Sequence, residues 1–277
     1  MAPAVADRPI DGLLLRTLSA LVMAPLAVCA IVAGWPYFHT VIGIGGAILA
    51  WEWARLCGGE FTETGWVLLG AVVAAVVAAS LGMELEAMGV AAVGALAIYQ
   101  VALSHRRPEP SWFSLGVLYF AIPSIALIWL RADFGANPVL WLFLSVWATD
   151  VGAYVAGRAI GGPKLAPQLS PNKTWAGFYG GIAAAAVTGG LFFWLTAGSI
   201  TLARLSLWAG LSVLVAIFSQ GGDLAESAIK RRFKVKDTSG LIPGHGGLFD
   251  RVDGLLAAAP MVALIGFASG GDVLAWR

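Results

Sequence analysis

The sequence has few charged residues and few cysteines. Only 12% of its 277 residues are charged, whereas a soluble globular domain carries about 25%. The only two cysteines, Cys29 and Cys57, have no paired or metal-ligand spacing. This excludes a disulfide scaffold or a cysteine-rich metal site and predicts small buried side chains. The formal net charge of +1 gives no reason to expect a nucleic-acid partner.

Apolar residues make up 59% of the chain and occur in long runs. These runs lack the polar and apolar alternation of a barrel strand, so helices are the better interpretation. We predict an all-α integral membrane protein, a polytopic bundle of about nine transmembrane helices with a polar site on the cytoplasmic side. The predicted spans are 12–34, 37–57, 66–82, 87–104, 111–131, 138–157, 175–197, 202–223 and 253–275.

The distribution of basic residues predicts the orientation of these spans. With nine spans and a cytoplasmic N-terminus, 14 of the 17 Lys and Arg residues fall on the cytoplasmic side. The three exceptions are Arg131, Arg204 and Arg277. We divide the chain into an N-terminal region, 1–110, with the first four spans, and a C-terminal region, 111–277, with the other five, which we expect to carry the polar site.

One long polar segment, 227–253, interrupts the apolar chain. It contains six of the 17 basic residues, three aspartates and four glycines. Cations, carboxylates and glycines placed together suggest a site for phosphate groups and a divalent metal. The basic residues alone would also fit attraction to anionic lipid, and apolar residues among them predict an amphipathic helix at the membrane surface. The basic residues are Lys230, Arg231, Arg232, Lys234, Lys236 and Arg251.

Carboxylates flank this segment at the ends of two predicted spans. Asp223 follows two glycines at the end of the eighth span, with Glu226 on the same helical face. Asp250 and Asp253 are three residues apart at the start of the ninth span. We therefore predict that Asp223, Asp250 and Asp253 hold Mg²⁺, with a second cation left open. The alternative is that Asp250 and Asp253 only stabilise the N-terminus of their helix.

A second candidate for anion binding precedes the seventh span. Ser170, Lys173 and Thr174 follow a proline-rich loop, and the start of the next helix offers free backbone amides. A solvated linker with incidental lysines is the alternative.

Three further features are candidates for substrate contact. Gly246 and Gly247 would let backbone amides approach phosphate oxygens closely. His245, between Gly244 and Gly246, fits either a phosphate donor or a hydrogen-bonded scaffold residue. Asp150 lies in the sixth span, where an ionisable residue is costly and usually has a function. The alternative for Asp150 is a buried, hydrogen-bonded structural role.

These motifs together resemble the signature of phosphatidate cytidylyltransferases, also called CDP-diacylglycerol synthases. The segment 227–253 resembles the family over its whole length. The D-x-x-A-Y of 150–154 and the S-P-x-K-T-W-x-G of 170–177 also resemble it, and Asn172 is the one departure. The resemblance covers the second half of the chain. It is carried in the segment by Ser227, Ile229, Lys230, Arg231, Lys236, Asp237, Ser239, Ile242, Pro243, His245, Gly246, Gly247, Leu248, Asp250, Arg251, Val252 and Asp253.

The resemblance implies transfer of a cytidylyl group from CTP to phosphatidate, with Mg²⁺, in a bacterial inner membrane. With the patterns above, it assigns catalytic roles to Asp223, Asp250, Asp253, Lys230 and Arg231. It assigns substrate contacts to Lys173, Ser170, Thr174, Lys236, Asp237, His245, Gly246, Gly247, Arg251 and Asp150.

Three other expectations stay open at this point. A CTP-dependent enzyme acting on another membrane alcohol is one alternative. A transporter with Asp150 and Asp223 on an ion pathway is the other. The small residues Gly266 and Gly270 in the last predicted span also make a homodimer plausible.

Overall fold

The computed structural model describes residues 9–242 and 246–274, without the side chains of 9–20 and 272. Within these residues the chain forms nine α-helices, and eight of them are long and apolar enough to cross a membrane. The prediction of an all-α polytopic membrane protein is confirmed. The helices are α1 Pro9–Ala33, α2 Tyr37–Gly58, α3 Glu63–Ser80, α4 Glu84–Ser104, α5 Pro110–Phe134, α6 Ala136–Ala159, α7 Trp175–Thr196, α8 Leu202–Arg232 and α9 Phe249–Ala268.

Helix α8 is longer than its predicted span. Its 31 residues extend roughly 46 Å at 1.5 Å per residue, against a hydrocarbon core of about 30 Å. The last turns, from Asp223 onward, therefore extend towards the polar side of the bundle. The predicted surface helix is wrong as a separate element, because the basic residues up to Arg232 continue α8 without a break.

A β-hairpin joins α6 to α7 where the sequence predicts an irregular loop. Strand β1 (Lys164–Ala166) pairs with β2 (Ser170–Thr174) in antiparallel register. Thr174 then begins α7 as its N-cap, since its hydroxyl oxygen accepts a hydrogen bond from the Gly177 amide at 3.1 Å. The hairpin thus fixes where Lys173 lies relative to the start of α7.

Two aromatic clusters fill the two halves of the bundle. In the N-terminal half, the fully buried Trp53 of α2 packs edge-on against Phe249 of α9, with ring centroids 5.9 Å apart. In the C-terminal half, Trp208 contacts Trp141 at 4.8 Å and Phe193 at 5.5 Å. Helix α5 packs against α2, α3 and α4 on one side and against α6 and α9 on the other.

Glycines account for the closest helix approaches. A Cβ on Gly177 would lie 2.8 Å from the Ala153 carbonyl oxygen, and one on Gly181 would lie 2.9 Å from that of Thr149. Helix α7 therefore packs closely against α6. Gly266 instead faces Leu274 of the same chain, and Gly270 lies beyond the end of α9. Gly266 and Gly270 therefore do not lie together on a free helix face.

The two cysteines differ in exposure. Cys57 is buried as predicted, whereas Cys29 is exposed on α1, so the prediction of a buried side chain is wrong there. A neutral thiol is tolerated on a face that would contact lipid, because it behaves as a small hydrophobe.

Candidate active site

A charged cavity of about 820 Å³ lies between α6, the β-hairpin, α7, α8 and the start of α9. Six carboxylates and four basic side chains line it, a formal excess of two negative charges. These ten residues are Asp150, Asp223, Glu226, Asp237, Asp250, Asp253, Arg158, Lys173, Lys230 and Arg251. Such a concentration of charge in an apolar bundle marks a functional site.

Three of these carboxylates converge from α8 and α9. Asp223, Glu226 and Asp253 each offer an oxygen, and these oxygens lie within 4.8 Å of one another. The first two share a face of α8 because they are three residues apart. Asp253 reaches them because α8 and α9 touch at Gly222, where a Cβ would lie 2.5 Å from the Asp253 carbonyl oxygen.

Two lysines are interleaved with the carboxylates. Lys173 Nζ lies 2.6 Å from Asp223 Oδ2, which ties the hairpin to α8. Lys230 Nζ lies 2.6 Å from Glu226 Oε1 and 2.9 Å from Asp250 Oδ1, so it links α8 to α9. Partly buried ion pairs of this kind hold both the cations and the anions in fixed positions, because leaving either partner unpaired would be costly.

Asp250 has a different environment from the one we predict. Its Oδ2 accepts hydrogen bonds from the Thr238 amide and hydroxyl, both at 3.0 Å, and from the Gly247 amide at 2.8 Å. Its Oδ1 contacts Lys230. Both oxygens thus have protein partners, and the group of three converging carboxylates contains Glu226 in place of Asp250. The structure therefore differs from the predicted metal set at this position.

The structure brings most of the predicted site residues together. In addition to Asp223 and Asp253, the cavity lining includes the predicted residues Asp150, Lys173, Thr174, Lys230, Asp237, Asp250 and Arg251. Among the described residues, the lining omits Ser170, Arg231, Lys236, Gly246 and Gly247. His245 lies outside the described residues.

The Gly247 amide is not free to approach a phosphate as predicted. The Gly247 amide donates to Asp250 within the chain. Gly246 has a φ of +82°, and a Cβ there would lie 2.7 Å from Asp250 Oδ2. Both residues shape the turn around Asp250, which is a scaffold role in the described structure.

The sequence prediction assigns no role in the site to two acidic residues. Glu226 could have been found, since it shares the helical face of Asp223 and α8 continues past it. Glu52 of α2 could not, because no local motif marks it. It is 1% exposed, and it accepts hydrogen bonds from Ser239, Leu248 and Phe249 in and beside the polar segment.

The group of three carboxylates is chemically suited to a divalent cation. Oxygen ligands from one or a few carboxylates, completed by water and phosphate oxygens, are what Mg²⁺ prefers. The surplus of negative charge in the cavity also favours a bound cation. Asp223, Glu226 and Asp253 are therefore the residues that fit it.

Fold and cavity together define a polytopic helical membrane protein with a charged site where the helix ends meet. Residues 14–268 match the model of the cytidylyltransferase family, and the chain belongs to this family.

Proteins named phosphatidate cytidylyltransferase are similar to this chain. One from Brucella melitensis is 52% identical over 159 residues, which cover 56% of this chain and 57% of that protein. One from Pseudomonas aeruginosa is 38% identical over 267 residues, 92% of this chain and 97% of that protein. One from Haemophilus influenzae is 32% identical over 290 residues, 91% of this chain and 98% of that protein.

Proposed function

We propose that this protein transfers a cytidylyl group from CTP to phosphatidate, forming CDP-diacylglycerol and pyrophosphate. The names of its relatives support this reaction, and so does membership of the cytidylyltransferase family. The observation that carries the proposal is the convergence of Asp223, Glu226 and Asp253 with Lys173 and Lys230 in one cavity. That arrangement suits substrates that carry phosphate groups.

The reaction needs no nucleophilic side chain. An anionic oxygen of the lipid phosphate attacks the α-phosphorus of CTP and forms a new P–O bond. The bond from the α-phosphorus to the oxygen that bridges it to the β-phosphate breaks, and its electron pair leaves with pyrophosphate. Because two anions must meet, catalysis consists mainly of positioning and charge stabilisation.

The basic residues of the cavity are the groups that would hold these phosphates. Lys173 and Lys230 are already fixed by their ion pairs. Arg251 and Arg158 line the same cavity from α9 and α6. Arg231 and Lys236 are exposed and outside the lining, so their proposed role is to attract the anionic substrates and lipid headgroups.

We assign the Mg²⁺ site to Asp223, Glu226 and Asp253. When bound, the cation neutralises negative charge on the triphosphate and on the departing pyrophosphate. Asp250 has the separate task of holding Lys230 and the turn at Gly247 in place.

The lipid would enter from the bilayer beside α6. Tyr154 lines the cavity and is 64% exposed, and its hydroxyl accepts a hydrogen bond from Arg158 Nη1 at 2.6 Å. An opening with an aromatic ring and a cation suits a phosphate attached to acyl chains. Asp150, the first residue of the D-x-x-A-Y motif, lines the same cavity.

The proposed location is a bacterial inner membrane, with the N-terminus and the cavity on the cytoplasmic side. The distribution of basic residues is the support for this orientation. A reporter that is active only in the periplasm should be active when it is fused after Arg277. Activity of a cytoplasmic reporter at the same position would contradict the orientation. A homodimer remains a prediction, and size determination in detergent would test it.

The reaction itself is tested by pyrophosphate release from purified protein. We expect release only when CTP, phosphatidate and Mg²⁺ are all present, with CDP-diacylglycerol formed in equal amount. Replacing phosphatidate with a polyprenol tests the alternative lipid substrate. A kinase would transfer the terminal phosphate of CTP to the polyprenol and release CDP. Release of CDP with polyprenol, without pyrophosphate release with phosphatidate, would contradict the proposal, as would the absence of both products.

A further inference from the structure

Glu52 is a buried carboxylate in a helix that contributes no residue to the cavity lining. It lies in α2, is 1% exposed, and does not line the cavity. Among the described residues it forms no ion pair. A buried carboxylate without a cation is costly unless hydrogen bonds satisfy its oxygens. The hydrogen-bond donors that satisfy the Glu52 carboxylate therefore indicate its role.

The three hydrogen-bond donors that Glu52 has among the described residues belong to the polar segment or to the start of α9. Oε1 accepts from the Leu248 amide at 2.8 Å and from the Ser239 hydroxyl at 2.6 Å. Oε2 accepts from the Phe249 amide at 2.8 Å. A residue from α2 thus contacts a segment nearly 200 positions later in the chain.

Two of these donors are backbone amides that α9 cannot satisfy within itself. The first amides of a helix have no intrahelical acceptor, and the local N-cap residue Leu248 provides no side-chain hydrogen bond. Glu52 performs the capping from another helix, with its negative charge at the positive end of α9. Beside it, the ring of Trp53 packs against Phe249, so α2 holds the start of α9 through both polar and apolar contacts.

The start of α9 determines where the cavity carboxylates lie. Asp250 is the first residue after Phe249, and Asp253 follows one helical turn later. The turn that precedes them is packed tightly around Glu52. A Cβ on Gly247 would lie 2.2 Å from Thr238 Oγ1 and 2.5 Å from Glu52 Oε1. Displacing Glu52 would therefore move both the turn and the helix that carries Asp253.

We infer that Glu52 is a positioning residue for this site: it caps α9 from α2 and so sets the positions of Asp250 and Asp253 opposite Asp223 and Glu226. This inference rests on the proposed function for its catalytic consequence. It also assigns a task to the N-terminal spans, because one of them supplies the carboxylate that fixes the entry to α9.

The test compares Glu52→Gln with the matched control Glu60→Gln, which removes the same charge from an exposed position. Gln places an NH₂ group opposite one of the donors, so one capping bond is lost and two donors face each other. We expect kcat to fall roughly tenfold or more, the usual cost of losing an outer partner of a site. The KM for CTP should change less, because Glu52 does not line the cavity.

Limited trypsin digestion supplies a readout that does not depend on activity. Lys234 and Lys236 are exposed in the segment that Glu52 holds through Ser239. We expect faster cleavage after these lysines in Glu52→Gln than in wild type or Glu60→Gln, at a temperature well below the melting temperature of all three proteins. Ser239→Ala removes a single bond to Glu52, and it should shift both readouts in the same direction by a smaller amount. If Glu52→Gln does not fold, Ser239→Ala replaces it as the variant in both measurements.

The outcomes separate the two claims. An inactive wild-type protein would contradict the proposed function, while the cleavage rates would still report on the cap. An active wild type with unchanged kcat and cleavage in Glu52→Gln would overturn the inference. A loss of activity that only matches the loss of folded protein would also overturn it, since that is a purely structural effect.

Discussion

Among the described residues, glycines allow close contact between helix backbones in the C-terminal half of the bundle, α6 to α9, and not in the N-terminal half, α1 to α5. In the N-terminal half they make room for side chains: a Cβ on Gly116 would lie 2.4 Å from the Trp53 ring, and one on Gly94 2.6 Å from Ala71 Cβ. In the C-terminal half some glycines also make room for side chains, as Gly254 does for Ser219. Others let backbones meet, as Gly152 does with the Gly180 carbonyl oxygen and Gly222 with that of Asp253. Backbone contact brings helices closer than side-chain packing does. The difference explains why the carboxylates converge in only one half.

The group of three carboxylates is the feature that depends most on this close approach. Replacing Asp253 with Asn keeps the shape of the side chain and removes its charge. We expect kcat to fall by at least about 100-fold, since charge stabilisation is the largest contribution to such a reaction. Pyrophosphate release by purified protein measures this. Asp133→Asn is the control, because Asp133 is exposed at the far end of α5. Comparable activity of the two variants would contradict the placement of the site.

Adjacent glycines allow the backbone contact itself to be tested. A Cβ on Gly222 would lie 2.5 Å from the Asp253 carbonyl oxygen and 2.9 Å from Ala257, whereas one on Gly221 would meet nothing within 4 Å. Gly222→Ala should separate α8 from α9 and lower kcat roughly 10- to 100-fold, because small displacements of catalytic groups are costly. Gly221→Ala should retain activity. Equal activity in both variants would show that the close approach is not needed.

The sequence predicts features within one helix better than contacts between helices. The apolar runs predict the helices and place Asp223 at the end of one of them, although that helix, α8, continues past it to Arg232. Contacts between helices distant in sequence cannot be predicted in this way. Asp250 looks like a metal ligand until the Thr238 and Gly247 amides are seen to occupy it. Glu52 has no sequence signal, because its donors are backbone amides, which any residue carries.

The β-hairpin offers a comparison of two lysines, one inside the cavity and one outside it. Lys173 on β2 lies 2.6 Å from Asp223, whereas Lys164 on β1 is exposed and does not line the cavity. Lys173→Ala should lower kcat/KM for CTP roughly tenfold, the usual value of a hydrogen bond to a charged group. Lys164→Ala should have a smaller effect. An equal loss in both would indicate that the hairpin attracts anions only through its overall charge.

The smallest effect on activity is expected where glycines make room for side chains. A Cβ on Gly94 would lie 2.6 Å from Ala71 Cβ, while Gly89 on the same helix faces open space. Gly94→Ala should therefore overpack α3 against α4, at a typical cost of 1–3 kcal/mol, and lower the melting temperature in detergent. Gly89→Ala should keep or raise it, because alanine favours the helix. The activity per folded molecule should be unchanged in both, since neither residue lies near the carboxylates. A fall in kcat for Gly94→Ala without a fall in melting temperature would mean that α3 and α4 influence the cavity, which would remove the distinction between the two halves.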